Sequence, residues 1–231
     1  MMSQNQNKES KNPGDNVRKR LLDTAEKLFA EKGFACTSVR DITREGHCNI
    51  AAINYYFGGK DKLYLEVFNR HLIALRDVRI AGINKVMSES GGNITLEELL
   101  DAFATAFIEP LMDKSSGLRF MKLMSHEMVS PQLPAGLFFE KMILPIRTVL
   151  QQALSRVCPG LDRKKAVLCI NSVVAQLIHV IQVQRIFARN DGDIEPPVFD
   201  LTKTLEHIVA FSAAGIRAAA KGKVNAKNST D

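Results

Sequence analysis

His126 and Glu127 stand side by side in SHEMVS, the pair with which a zinc-hydrolase motif begins. The second histidine of HExxH is missing, because position 130 is serine, so the i, i+4 ligand pair that grips a metal from one helix face is absent. Cys36, Cys48, Cys158 and Cys169 form no CxxC pair and read as reduced thiols. Cys48 beside His47 makes a poor metal or catalytic pair, and suits a core position better. No glycine-rich phosphate loop or nucleophile-base arrangement accompanies them, so we expect no enzyme activity, no metal and no cofactor. A different chemistry is open to IAAINYYF at 50–57. The Asn54 carboxamide can pair with adenine, and the methyls of Ala51 and Ala52 permit close approach to a groove and contact with thymine. Tyr55 and Tyr56 can combine phosphate hydrogen bonds with packing on sugars, unless one of the rings belongs to the core.

Helices must position these groups. VRKRLLDTAEKLFAEKGF places Leu21, Leu22, Ala25, Leu28 and Phe29 on one stripe and stops at Gly33, predicting a helix from Val17. SVRDITREG follows as a short helix capped by Thr37 or Ser38, with Val39 and Ile42 inward. After a turn at Gly46 to Asn49, IAAINYYF is a second short helix whose Ile50, Ile53 and Phe57 face the core. Two short helices across a tight turn read as a helix-turn-helix. Gly58-Gly59 breaks the chain before a long helix carrying Leu63, Val67, Leu72 and Leu75, and Thr95 caps the next. Further helices are predicted over SSGLRFMKLMSHEMVS, over LFFEKMILPIRTVLQQALSRV with a bend at Pro145, and over RKKAVLCINSVVAQLIHVIQVQRIFA and LTKTLEHIVAFSAAGIRAAA with NDGDIEPPVFD between them. No segment alternates as a strand would. The fold class is therefore all-α: an N-terminal three-helix domain with a helix-turn-helix at 17–62, then a larger helical domain at 63–220, to which the family resemblance described below assigns ligand binding and dimerisation, with flexible basic ends at 1–16 and 221–231.

Composition and charge agree. Of 231 residues 45% are hydrophobic and 24% charged, which excludes a largely disordered chain. The net charge of +6 is concentrated at the ends, with +3 over 1–62, zero over 63–216 and +3 over 217–231. A polyanion would therefore meet the first domain rather than the middle. No run of 18 apolar residues occurs and the first twenty positions are too polar for a signal peptide, so a cytoplasmic protein without membrane attachment is expected.

The segment LLDTAEKLFAEKGFACTSVRDITREGHCNIAAINYYFGGKDKLY resembles the DNA-binding region of the TetR family of bacterial transcriptional regulators, over roughly residues 17–65. The resemblance implies a homodimeric repressor with an all-helical effector domain, released from double-stranded operator DNA by a small molecule. It further implies DNA contacts at Thr37, Arg40, Asn49, Ala51, Ala52, Asn54, Tyr55 and Tyr56, and a phosphate contact at Lys60. Taken alone, Thr37 can cap, bind phosphate or do both; Asn49 suits a helix N-cap; Arg40 can reach phosphate or guanine; and Lys60 can neutralise a phosphate. The sequence departs from the family at His47, where the turn usually holds glycine, and at Gly58-Gly59, where serine usually follows proline or glycine.

In the larger domain, Phe103, Phe107, Met121, Met124, Met128 and Phe138 could line an adaptable pocket for an apolar or amphipathic effector, or could simply be core. His126, Arg147, Gln176 and His179 could orient a ligand there. The last two helices are apolar nearly all round, and Ala210, Ala213, Ala214 and Gly215 offer small surfaces, which favours a dimeric four-helix contact over burial within one chain. The other readings kept open are a ligand-independent or nucleoid-associated DNA-binding protein, and a helical enzyme or partner-binding protein.

Overall fold

The computed structural model describes residues 13–89, 93–187 and 200–221. The expected terminal arms, apart from the stretch from Pro13 to Asn16 and from Lys221, and the break at NDGDIEPPVFD, apart from Asp200, lie outside these residues. The described chain is helical throughout: α1 (Pro13–Lys32), α2 (Val39–Glu45), α3 (Ile50–Phe57), α4 (Lys60–Glu89), α5 (Leu96–Met112), α6 (Ser116–Val129), α7 (Leu144–Val157), α8 (Arg163–Phe187) and α9 (Leu201–Lys221). The first helix begins at Pro13 rather than Val17, consistent with proline's tolerance of a first-turn position that lacks an intrahelical donor.

Two compact units are formed. The first takes the described residues up to His71 together with Arg119–Pro134, so α6 contributes most of its length to it. Its core holds the predicted stripe of Leu21, Leu22, Ala25, Leu28 and Phe29, joined by Ile42, Ile53, Leu63 and Phe68, all buried. Tyr64 joins them edge-on to Phe29, with ring centroids 4.9 Å apart. Its hydroxyl donates to Glu127 Oε2 at 3.0 Å, and the second oxygen of that carboxylate accepts the amides of Gln132 and Leu133, each at 2.8 Å. Glu127 thus satisfies the loop that Pro131 and Pro134 force after α6. Burial pushes the Tyr64 hydroxyl's pKa upward, and the neighbouring Glu127 adds to this.

The second unit takes Leu72–Leu118 and the described residues from Ala135. There α5 packs against α7, α8 and α9, while α8 packs against α7 and α9. Thr95 caps α5 as expected, in a reciprocal box with Glu98. The bend expected at Pro145 takes a specific form. Residues Phe139–Ile143 wind as a π-helical turn, in which the Leu144 amide donates to Phe139 O. Pro145 has no amide to give to Lys141, and in regular α geometry its ring would strike that residue's carbonyl; the wider turn just before it relieves both problems.

Candidate nucleic-acid interface

The interface is built from α2, the turn and α3. Ser38, not Thr37, caps α2: its hydroxyl accepts from Asp41 N at 3.1 Å and the Asp41 carboxylate accepts from Ser38 N at 3.1 Å. Those contacts with Ser38 hold the Asp41 carboxyl below the usual carboxylate range. Thr37 is fully buried and donates its hydroxyl to Gly33 O at 2.8 Å, so it presents nothing to DNA in this conformation, contrary to the expectation for this position.

The turn is closed by Gly46 N donating to Ile42 O at 2.8 Å and Cys48 N to Thr43 O at 2.9 Å. A side chain at Gly46 would start only 2.9 Å from Ile42 O, so close backbone approach demands glycine there. The positive φ falls one residue later, on His47 at 48°. Arg20 reaches over from α1 and donates through Nε to Gly46 O at 2.8 Å, fastening the turn. Sequence reasoning missed Arg20, since nothing in RKR distinguishes it from its neighbours. A non-glycine residue in the left-handed region costs about 1–2 kcal/mol, part of which glycine returns as unfolded-state entropy. His47→Gly is accordingly expected to stabilise the protein by about 0.5–1 kcal/mol, read as a higher thermal midpoint.

Asn49 caps α3 as expected, its Oδ1 accepting from Ala51 N at 3.0 Å. Ile53 and Phe57 face inward; Ile50, expected inside as well, is 48% exposed. The outer face of α3 therefore shows Asn49, Ile50, Ala51, Asn54 and Tyr55, with Ala52 and Tyr56 half-buried, and no charge lies anywhere on this helix. Tyr55 is 83% exposed and meets Tyr56 edge-on, so neither ring is core. An uncharged, protruding helix face is suited to base edges, while Arg40, exposed on α2, can meet phosphate. Lys60, at the first turn of α4, holds its ammonium 4.0 Å from the centre of the Phe34 ring, and burial pushes its pKa down. We expect Asn54→Ala to relax preference at one base position by about 1–3 kcal/mol. Equal weakening on every operator variant would instead assign Asn54 to positioning.

The same unit contains an ionic cluster that sequence reasoning also missed. Glu26 is 3% exposed yet carries three partners: Arg70, Arg119 through Nε at 2.7 Å, and His71 with Nε2 at 3.2 Å. Burial pushes the Glu26 carboxyl up, but His71, Arg119 and Arg70 outweigh it and hold it at about 2. The signal was present in the sequence: Glu26 falls on the apolar stripe between Leu22 and Phe29, where an unpaired carboxylate would be costly.

The residues proposed for a ligand divide. Met121, Met124, His126 and Met128 belong to the first unit, where the His126 ring lies against Gly33 and Met128 is 78% exposed. Phe103, Phe107, Phe138, Arg147, Gln176 and His179 belong to the second. Phe103 and Phe107 are buried and pack edge-on, and Arg147 lies over Phe139 at 5.2 Å. Gln176 donates to Ser212 Oγ of α9 at 3.2 Å, whereas His179 is exposed. None of them lines a cleft of about 420 Å³ between α7 and α8, bordered by Thr148, Gln151, Gln152, Ser155 and Arg163.

Residues 21–67 match the family "Bacterial regulatory proteins, tetR family", and residues 101–215 match "Tetracyclin repressor-like, C-terminal domain". The chain belongs to the TetR family and is a helix-turn-helix DNA-binding transcriptional regulator. It is similar to the "probable HTH-type transcriptional regulator" YttP of Bacillus subtilis, 35% identical over 85 residues, covering 35% of this chain and 37% of that one. It is also similar to the "HTH-type transcriptional dual regulator" CecR of Shigella flexneri, 26% identical over 159 residues, covering 62% of this chain and 65% of that one. The matches thus span less than two thirds of either relative. A solved structure from Pseudomonas aeruginosa PAO1 shares the fold over 91% of this chain and 95% of that one, with a TM-score of 0.65 at 17% identity.

Proposed function

We propose that the protein acts as a homodimeric repressor that places two copies of α3 in successive major grooves of a roughly palindromic operator, about 34–36 Å apart, and leaves it when a small molecule binds the second unit. The observation that carries the dimer is the apolar surface left on the last two helices. Leu168 and Ile178 of α8 are 66% and 42% exposed, and Phe211 of α9 is 64% exposed. Ala210, Ala214 and Gly215 are exposed beside Phe211, and none of the described residues approaches where a Gly215 side chain would be, so a partner helix can come close. Obstruction of transcription initiation by the bound dimer is the mode adopted; the dual role in CecR's name makes activation the second reading.

The effector domain is the second unit. α4 runs unbroken from the first unit into the second, giving ligand occupancy a covalent route to the DNA-reading helices. A ligand and DNA that favour different separations of the two α3 helices oppose each other by a coupling of about 1–3 kcal/mol. Sedimentation equilibrium of the full chain, free and on an operator duplex, tests the assembly. A dimer at micromolar concentration and two chains per duplex are expected; a stable monomer would reject it.

A further inference from the structure

Arg79 is the one charged residue of the second unit that is fully enclosed among the described residues, at 3% exposure. Its guanidinium carries five N–H donors that demand acceptors when removed from water. It receives very little. Nη1 lies 3.3 Å from the Met142 thioether, a weak acceptor, and Nη2 is 3.5 Å from Phe107 O, at the limit of a hydrogen bond. Nε has no partner at all, and no carboxylate pairs with the group. The plane lies 3.8 Å from the centre of the Phe107 ring, and Phe103 packs edge-on behind Phe107. Burial pushes the Arg79 pKa down to about 10, which still leaves a full positive charge at neutral pH.

A buried cation without an anion is an expensive feature if packing were its only purpose, because a methionine or leucine would fill the space without the desolvation penalty. The cover over it is soft. Met142 is half-buried and sits in the π-helical turn Phe139–Ile143, and a flexible thioether is readily moved aside. Phe139 and Ile143 on that same turn are 43% and 44% exposed, an apolar surface on the segment that holds the cover.

We infer that Arg79 is the counter-ion for the carboxylate of an amphipathic small molecule, which displaces Met142 and pairs with Nε and the Nη donors while its apolar body stays with Phe103, Phe107 and the π-helical turn. The planar fork matches a carboxylate bidentately, the geometry in which arginine recognition is strongest. This deepens the effector-binding reading of the second unit and rests on it. It also names a residue that periodicity could not select, since Arg79 in LRDVRIAG looks like an ordinary solvated arginine.

The test is calorimetric titration of the full chain, without DNA, with decanoate and with the uncharged decanol, both below aggregation. Decanoate should bind at least roughly tenfold more tightly than decanol. Arg79→Met, checked for folding by circular dichroism, should bind the two equally, and Arg79→Lys should keep part of the preference for the acid. Equal binding of acid and alcohol by the parent protein, or a preference that persists in Arg79→Met, would overturn the assignment. Release of operator DNA is read separately: an Arg79-dependent preference without release would uphold the site and refute its use as the trigger.

Discussion

Glu26→Gln is expected to destabilise the protein by about 3–5 kcal/mol, the usual cost of removing one partner from a buried ionic cluster. The carboxylate is 3% exposed and gathers Arg70, His71 and Arg119 from two other helices, so the amide would leave Arg70 with Asp23 alone and take from Arg119 its carboxylate partner. A solvent-exposed pair such as Lys27 with Glu45 would cost far less by the same measurement, because water replaces the lost partner. The cluster also predicts a pH dependence. Its carboxyl is held at about 2 against an ordinary 4.5, so above about pH 4.5 the folded and unfolded states are both ionised and the contribution is complete. As the pH falls from about 4.5 towards 2, the unfolded chain takes up a proton that the folded chain refuses, and about 3 kcal/mol is lost. Denaturant melts between pH 5 and 2.5 should show this slope in the parent and a flatter one in Glu26→Gln. Equal slopes would remove Glu26 from the account of acid stability.

Phe211→Glu is expected to turn the proposed dimer into a monomer and to weaken operator binding by roughly a hundredfold or more, because two linked half-site contacts become two independent ones. Phe211 is 64% exposed in the single chain and stacks on His207 with ring centroids 6.1 Å apart. Across a twofold axis the change would bring two carboxylates into an apolar contact, while a single chain would simply hydrate its new charge. The variant should therefore keep the parent's helical content and lose both sedimentation as a dimer and DNA affinity. A dimer of unchanged stability would place the interface elsewhere.

What could be read in the sequence was what depends on local spacing. The stripe Leu21, Leu22, Ala25, Leu28 and Phe29 specified the inward face of α1, and Thr95 and Asn49 capped the helices they preceded. His47, where the family's turn usually holds glycine, is the residue on which the positive φ falls. What escaped depends on groups that meet only after folding. Thr37 and Ser38 are equivalent as local caps, and the choice between them was made by depth, since Thr37 is held among Leu28 and Gly33 carbonyls. Lys60 reads as a free cation until Phe34, distant in sequence, arrives beneath it. Methionines and phenylalanines of one composition were divided between two units, because α6 contributes most of its length to the DNA-binding unit while α5 does not. Ile50 was misassigned for a related reason: an apolar residue at the first turn of an eight-residue helix can leave the core without exposing the rest of the stripe.

On the proposed function, the exposed face of α3 reads base sequence as half of a symmetric pair. Selection from randomised duplex DNA by the purified full-length protein, at controlled salt and with sequencing of the recovered fragments, tests it most directly. The expected result is an enriched, roughly palindromic site with half-site centres about one helical turn apart. Recovery of unenriched DNA by a protein verified as folded would contradict it.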